Sequence, residues 1–338
     1  MIKISFVIPT LNASSVLETC LKSIKKQSIS PKEYEIIIAD GGSTDDTLKI
    51  AKKYNAKIIK NPLKTAEAGK AVGVRKAIGK YIALIDSDNI LPTKNWLKIN
   101  LNILEKDKKL IGTEPLFFTY RPKAGFIERY SALTGVNDPY AFISGVYDRR
   151  NYINFKWTGL KIDQVDNGQY IKIKLKPNNE IPTIGANGTI FRSDFLKNNL
   201  NSDYLFDIDI LASYLAKNKK PAFFVKVKQG IIHTFCESSI KKFIRKQNRR
   251  ITDYFYYQNL RQFNWDQTNK SGVLKFIFYT VLIFPMLFDT FRGFFHKPDI
   301  AWFFHPLACI ITLYLYTINT IKKRLNLLKQ VNRTKWQQ

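Results

Sequence analysis

Tyr81-Ile-Ala-Leu-Ile-Asp86-Ser87-Asp88 runs from apolar residues straight into two carboxylates separated by one small residue. A buried strand is the element that carries such a run, and it delivers Asp86 and Asp88 to the edge of a sheet. Open α/β sheets bind ligands beyond the carboxyl ends of their strands. Two hard oxygen ligands at that place suit a divalent cation carrying phosphates. An Asp-x-Asp also caps turns, so the surrounding elements must decide between the two readings.

Those elements are legible. Ile4–Ile8, Ile36–Ala39, Ile58–Ile59 and Tyr81–Ile85 are short apolar runs separated by amphipathic stretches of helical period. The alternation predicts a parallel, Rossmann-like α/β sheet. Ser15-Val-Leu-Glu18 has capping-box spacing for the first helix, and Thr44-Asp45-Asp46-Thr47 supplies a cap and first-turn acids for the second. No Gly-x-Gly-x-x-Gly follows the first strand, which argues against a dinucleotide-binding enzyme. The second strand ends instead in Ala39-Asp40-Gly41-Gly42-Ser43, where the acceptor-only carboxylate of Asp40 matches the N–H and O–H donors of a base or ribose.

The chain carries 54 Lys+Arg against 27 Asp+Glu, a formal net charge of +27. That balance predicts attraction to nucleic acid, anionic lipid or phosphate-bearing substrates. Cys20, Cys236 and Cys309 are odd in number and far apart, so neither a disulfide framework nor a thiolate metal cluster is expected, and a reducing, cytoplasmic setting fits. The N-terminus enters an apolar strand at once, without the features of a secretory signal.

Ile300–Ile321 lacks Asp, Glu, Lys and Arg over about 22 residues, the length of a transmembrane helix. Phe276–Phe288 is shorter and contains Pro285, which fits an interfacial segment or a kinked span. The expectation is a hydrophobic helical hairpin over 272–322 that crosses a membrane out and back, turning near His296-Lys297-Pro298-Asp299. Lys241–Arg250 before it and Lys322-Lys323-Arg324 after it place both flanks, including a basic tail at 323–338, in the cytoplasm. Two buried helices of a soluble domain are the competing reading.

Pro9-Thr10-Leu11-Asn12, Asp40-Gly-Gly-Ser-Thr-Asp45, the stretch from Gly69-Lys70 to Arg75 and Asp86-Ser87-Asp88 stand in the order and spacing of family 2 glycosyltransferases. Over residues 1–100 the chain resembles that family clearly, and more weakly to about 260. The resemblance implies a GT-A fold over 1–260, with a nucleotide-binding half at 1–100 and an acceptor half at 101–260. It implies an inverting sugar transferase that uses a nucleotide-diphosphate sugar with Mg or Mn. Pro9, Thr10, Asn12 and Asp40 would line the nucleoside pocket, and Asp86 and Asp88 would hold metal, diphosphate and ribose. Lys70 and Arg75 would face the phosphates, with a solvated helix face as the alternative. Two positions depart from the family's pattern: Ala13 stands where an acid often follows Asn, and Gly41 replaces the second Asp of Asp-Asp-Gly-Ser-Thr-Asp.

Farther along, Ile184-Gly185-Ala-Asn-Gly188-Thr-Ile-Phe-Arg192 resembles the family's loop beneath the donor sugar, where glycine permits close backbone approach. A plain turn is the other reading. Phe206-Asp207-Ile208-Asp209-Ile210-Leu211 resembles the Glu-Asp-x-Asp-Leu region, which aligns Asp207 with the general base and leaves Asp209 as its substitute. Inverting transfer displaces the diphosphate directly, so an acceptor hydroxyl must lose a proton to a carboxylate as it attacks. A polyprenyl-phosphate acceptor is already an anion and needs no base; Asp207 is then positional. As a mere helix-start acid it would contribute about 0.3–1 kcal/mol. His233, near a strand end, resembles the histidine with which some members complete their metal site, against the reading of a satisfied core histidine. Residues 239–258 read as an interfacial helix, apolar on one face and basic on the other. Within it Gln247-x-x-Arg250 resembles Gln-x-x-Arg-Trp, with Ile251 in place of Trp, and implies contact with the diphosphate.

Three classes are thus in play. A membrane-attached glycosyltransferase acting on a lipid-linked or cell-surface glycan acceptor accounts for the aspartates, the charge and the hairpin together. A sugar nucleotidyltransferase would place a Gly-rich basic signature where Pro9-Thr-Leu-Asn12 stands. A basic membrane-surface or nucleic-acid-binding protein without catalysis accounts for the charge alone, so an anionic membrane is expected as a partner and nucleic acid is not. The motifs carry no information on donor base, donor sugar or oligomeric state.

Overall fold

The computed structural model describes residues 1–177, 179–185, 187–261 and 270–330. The N-terminal part alternates as β1 (Ile4–Thr10), α1 (Ser14–Lys25), β2 (Tyr34–Asp40), α2 (Thr47–Lys53), β3 (Lys57–Lys60), α3 (Ala66–Lys76) and β4 (Tyr81–Leu84). Short β5 (Asn89–Ile90) and α4 (Trp96–Lys106) lead to β6 (Leu110–Phe118), α5 (Phe126–Thr134) and α6 (Pro139–Ser144). An excursion through β7 (Asp163–Asp166) and β8 (Tyr170–Leu175) returns to β9 (Thr189–Arg192), α7 (Ser193–Asn198), α8 (Asp209–Asn218) and the long β10 (Ala222–His233). The chain closes with α9 (Ile240–Tyr256), α10 (Lys270–Val281), α11 (Phe284–His296) and α12 (His305–Arg324).

The strands join in the order β3-β2-β1-β4-β9-β6-β10-β8-β7. β3, β2, β1 and β4 are parallel, as the apolar runs predict. β9 then inserts antiparallel between β4 and β6, so the sheet is mixed rather than wholly parallel. It runs unbroken from the expected nucleotide half into the acceptor half. Both faces are covered, which is why β1 and β4 read as continuous apolar runs. Ile4, Phe6 and Ile8 pack with Leu17, Leu21 and Trp96 on one side. Val7 and Leu84 pack with Val74, Leu211 and Phe224 on the other.

The helix starts need one correction. α1 begins at Ser14 after an Ala13 cap with no side-chain hydrogen bond, so Ser15 is inside the helix and forms no capping box. The exposed amides are satisfied from a distance: Thr47 Oγ1 accepts from Ala13 N at 2.8 Å and Asp45 Oδ2 from Ser14 N at 3.0 Å. Asp45 Oδ1 also accepts from Thr47 N at the start of α2. One acid therefore serves two helix N-termini, where orphan donors and the helix dipole both favour a negative charge.

The C-terminal segment is three helices, the first arm of the expected hairpin being broken in two. Ile300–Arg324 is long and apolar enough to cross a membrane by length and composition, whereas Ser271–Val281 and Phe284–His296 meet at a bend of 85°. Pro285 lies in the first turn of α11, where its missing N–H is one of the helix's unpaired ones anyway. A third apolar cluster, including Tyr130, Phe142, Phe243, Trp302 and Phe304, joins α5, α6 and α9 to these helices. The apolar side of α9 thus faces protein. Of the expected basic tail, residues 331–338 lie outside the described residues.

Candidate active site

The chain leaves β4 into a turn closed by Asn89, whose Oδ1 accepts from Asp86 N at 3.0 Å while its own N donates to Asp86 O at 2.9 Å. β5 then pairs with the end of β10, setting Asn89 opposite His233. That pairing brings Asp88 beside the histidine, with His233 Nε2 3.3 Å from Asp88 Oδ2. Lys246 Nζ from α9 approaches the same oxygen at 3.1 Å. Burial pushes the Asp88 carboxyl up, but His233 and Lys246 outweigh it and hold the group well below the usual carboxylate range.

Asp86 turns the other way, toward Lys70. Small residues on α3 let it lie close on β1: a Cβ at Gly73 would stand 2.3 Å from Val7 Cγ1. Lys70, one turn earlier, is 5% exposed, and its ammonium lies 3.1 Å from Asp86 Oδ1 and 2.5 Å from Asp207 Oδ2. Burial opposes the charge on Lys70, yet the two carboxylates raise its pKa above the ordinary value. Burial also raises the Asp207 carboxyl, Lys70 acting against it and Asp86 with it. Residues 137 positions apart in sequence are thereby joined at one point.

Gly185 explains how Asp207 is held. It sits at φ +140°, and a Cβ there would meet the Asp207 carbonyl oxygen at 2.1 Å. Beneath it lies a buried quartet. Glu114 Oε1 accepts from Gly185 N at 3.1 Å and from Thr189 Oγ1 at 2.8 Å. Glu114 Oε2 meets Arg149 Nη1 at 2.6 Å and Lys226 Nζ at 2.5 Å, and Asp148 Oδ2 completes the set on Arg149 at 2.5 Å. Burial drives both acids up. At Glu114 the two cations outweigh it and lower the carboxyl to about 2; at Asp148 burial prevails and the carboxyl rises to about 6.

Asp40 is 5% exposed. Its oxygens accept from Thr10 Oγ1, Gly42 N, Ser43 N and Ser43 Oγ. Four bonds fill the lone-pair directions of a carboxylate, so Asp40 shapes the loop after β2 instead of presenting free acceptors to a base or ribose. Asn12 has the same character: its Oδ1 accepts from Thr44 N at 2.8 Å. Pro9 and Thr10 end β1 beside Ala39 and Asp40, so the first two motifs form one surface next to the Asp86 turn.

Four expected site residues lie elsewhere. Arg75 comes about 140° round α3 from Lys70 and pairs with Asp203 at 3.0 Å on an exposed edge, so it does not face the aspartates. Asp209 is buried against Arg261, whose Nε donates to its Oδ2 at 2.9 Å; it is the first residue of α8 and does not share the place of Asp207. Gln247 and Arg250 both donate to Asn137 O, at 2.8 and 3.3 Å, so they brace the loop behind His233. The residue of α9 that reaches the aspartates is Lys246. Nothing in the sequence separated it from its basic neighbours, nor singled out Asn137, whose Nδ2 is 3.2 Å from His233 Nδ1.

The donor set suits a divalent ion in its chemistry. Asp88 Oδ2 and His233 Nε2, 3.3 Å apart, can both reach one ion at about 2.1 Å. With Nε2 given to an ion the neutral ring would carry its proton on Nδ1, which Asn137 would accept by turning its amide oxygen, in place of Nδ2, toward the ring. Among the described residues no three carboxylate, imidazole or thiolate groups converge as a complete cage. An ion would therefore share its shell with ligand oxygens, as Mg and Mn do when they carry phosphates.

Residues 5–129 match the family model described as Glycosyl transferase family 2. The chain is 33% identical over 104 residues to the poly(ribitol-phosphate) beta-N-acetylglucosaminyltransferase TarS of Staphylococcus aureus, a match covering 29% of this chain and 18% of that protein. It is 33% identical over 155 residues to a PGL/p-HBAD biosynthesis glycosyltransferase of Mycobacterium bovis, covering 46% of this chain and 50% of the relative. The chain thus spans half or less of the length of these relatives. Among solved structures, a mannosyltransferase of Pyrobaculum calidifontis, in complex with GDP-Man and Mn2+, superposes with a TM-score of 0.51 at 12% identity, covering 93% of this chain and 87% of that one. The shared fold is GT-A.

Proposed function

We propose that this chain, whose residues 5–129 match the Glycosyl transferase family 2 model and whose fold is GT-A, is an inverting, metal-dependent transferase. It moves a sugar from a nucleotide-diphosphate sugar to a lipid-linked or cell-surface glycan acceptor at the cytoplasmic face of a membrane. The observation that carries this reading is the single Lys70 ammonium shared by Asp86 and Asp207. It sets the acid of the diphosphate side and the candidate base within one side chain's reach.

Each group then has a task. Pro9, Thr10, Asn12 and the loop shaped by Asp40 bound the nucleoside. Asp88 and His233, with Asp86 nearby, hold Mg or Mn, which when bound supplies Lewis-acid stabilisation of the departing diphosphate. Lys70 and Lys246 add fixed positive charge where negative charge develops. Gly185 lets the loop beneath the donor approach Asp207, and Asp207 takes the acceptor proton.

A second reading has its own support. The Lys70 ammonium lies 2.5 Å from Asp207 Oδ2 and occupies an oxygen that would otherwise receive the acceptor's proton, which suits an acceptor that is already an anion, such as a polyprenyl phosphate. A panel of UDP- and GDP-sugars with Mn or Mg and a membrane lipid extract, scored by the diphosphate released, tests the function and names the donor. Release of no diphosphate from any donor, with or without extract, would overturn it.

A further inference from the structure

We propose that residues 270–325 form an in-plane anchor that rests on the surface of an anionic bilayer and does not cross it. The expected outer turn, His296-Lys297-Pro298-Asp299, is the first reason. Asp299 Oδ2 lies 2.9 Å from Arg129 Nε and accepts from Tyr120 OH at 2.6 Å. His296 Nδ1 is 2.9 Å from Tyr152 O, and Lys297 Nζ stands 4.6 Å from the centre of the Tyr120 ring. A turn carried across a hydrocarbon core about 30 Å thick cannot touch residues 120–152 of the catalytic domain.

The other end of α12 returns to the same domain. Asn319 bonds with Thr252 at 3.2 Å and Asn248 at 2.9 Å, and Lys323 Nζ reaches Gln258 Oε1 at 2.5 Å. The helix therefore lies along the domain from end to end. α10 and α11 hold 12 and 13 residues, about 18–20 Å each at 1.5 Å per residue, and neither spans a bilayer.

What they turn outward is apolar. Phe278, Leu282, Phe284, Phe288, Phe295 and Phe303 are 51–77% exposed, and so many large apolar side chains turned outward within 26 residues of sequence are more than the single exposed apolar residues of an ordinary soluble surface. The charged fringe of this patch selects the occupant. Lys275, Arg292, Lys322 and Arg324 are exposed, while Asp289 is bonded by Tyr279 OH at 2.8 Å and Asp299 is paired with Arg129. Aromatic residues inserted at headgroup depth, ringed by cations, fit an anionic lipid surface.

Two measurements on the full chain test this, and neither reads sugar transfer, so they stand apart from the proposed reaction. In a background with Cys20, Cys236 and Cys309 replaced by serine, Pro298→Cys and, on the catalytic domain, Lys49→Cys are probed with a membrane-impermeant maleimide in sealed vesicles of known orientation. Both should label from the same side; labelling of Pro298→Cys only from the opposite side overturns the proposal. In flotation, the protein should bind phosphatidylcholine vesicles containing phosphatidylglycerol at least tenfold better than phosphatidylcholine alone, and Phe284→Asp/Phe288→Asp should lose that binding while keeping the wild-type melting temperature. Failure to float with either vesicle would overturn the lipid assignment, and concentration-dependent dimers that the double variant abolishes would overturn it by assigning the patch to a second copy of the chain.

Discussion

Two clusters in this molecule contain the same ingredients, acids paired with cations, and differ in access to solvent. Around Glu114, Asp148, Arg149 and Lys226, the Glu114, Arg149 and Lys226 side chains are at most 1% exposed and Asp148, at the edge, is 16% exposed. Around Asp86, Asp88, Lys70 and Lys246, the Asp86 side chain is 30% exposed and Lys246 18%. The closed cluster spends its bonds on the protein, through Gly185 N and Thr189 Oγ1. The open one keeps oxygens that a ligand can reach. A buried ion cluster contributes more to a unique geometry than to net stability, and here that geometry is the loop pressed against Asp207.

The contrast predicts different failures. Asp88→Ala should lower transfer by roughly a thousandfold, the loss of several kcal/mol of leaving-group stabilisation, with little change in melting temperature. Initial rates within tenfold of wild type would remove the open cluster from donor handling. Glu114→Gln should act in the opposite sense, destabilising the fold by about 3–5 kcal/mol because Arg149 and Lys226 are then two buried cations sharing the one carboxylate of Asp148. Urea unfolding measures this, and adding Lys226→Met should restore part of the loss. Asp207→Asn should slow transfer to a hydroxyl acceptor by about a hundredfold; an unchanged rate would point to a phosphate acceptor.

The smallest effect is one of pH. Asp148 titrates in the folded protein at about 6, above its ordinary 3.8. The folded state therefore holds its proton more tightly, and stability from this group is full below about 3.8 and is lost as pH rises toward 6. Glu114 has the opposite sign, its contribution being lost as pH falls from 4.5 toward 2. Between pH 4 and 6 the Asp148 trend should be visible as a falling melting temperature, and Asp148→Asn should flatten it. An identical slope in the variant would show that Asp148 does not titrate there.

Much of the nucleotide side was legible because it is local. The apolar runs fixed β1 to β4, and Asp86 and Asp88 sit at the strand end that their spacing implied. What could not be read depends on residues meeting from far apart. Lys246 reaches Asp88 only because α9 packs where it does, and Asp45 caps α1 from another loop. Arg75 and Asp209 misled for the same reason: their types and positions suit the chemistry, but Asp203 and Arg261 hold them away. The glycine at 185 was readable as a close approach, though not as an approach to Asp207.

Asn137 and Asp138 carry one last implication. Asn137 contacts His233, and its neighbour Asp138 accepts a hydrogen bond from Tyr316 on α12. A single peptide unit thus separates the contact with His233 from the contact with α12, with no linker between them to give slack. With the apolar patch of α10 and α11 resting on a bilayer, as proposed, the His233 end of the site would stand at one fixed distance above it, and an acceptor group would be chosen partly by how far it projects from that surface.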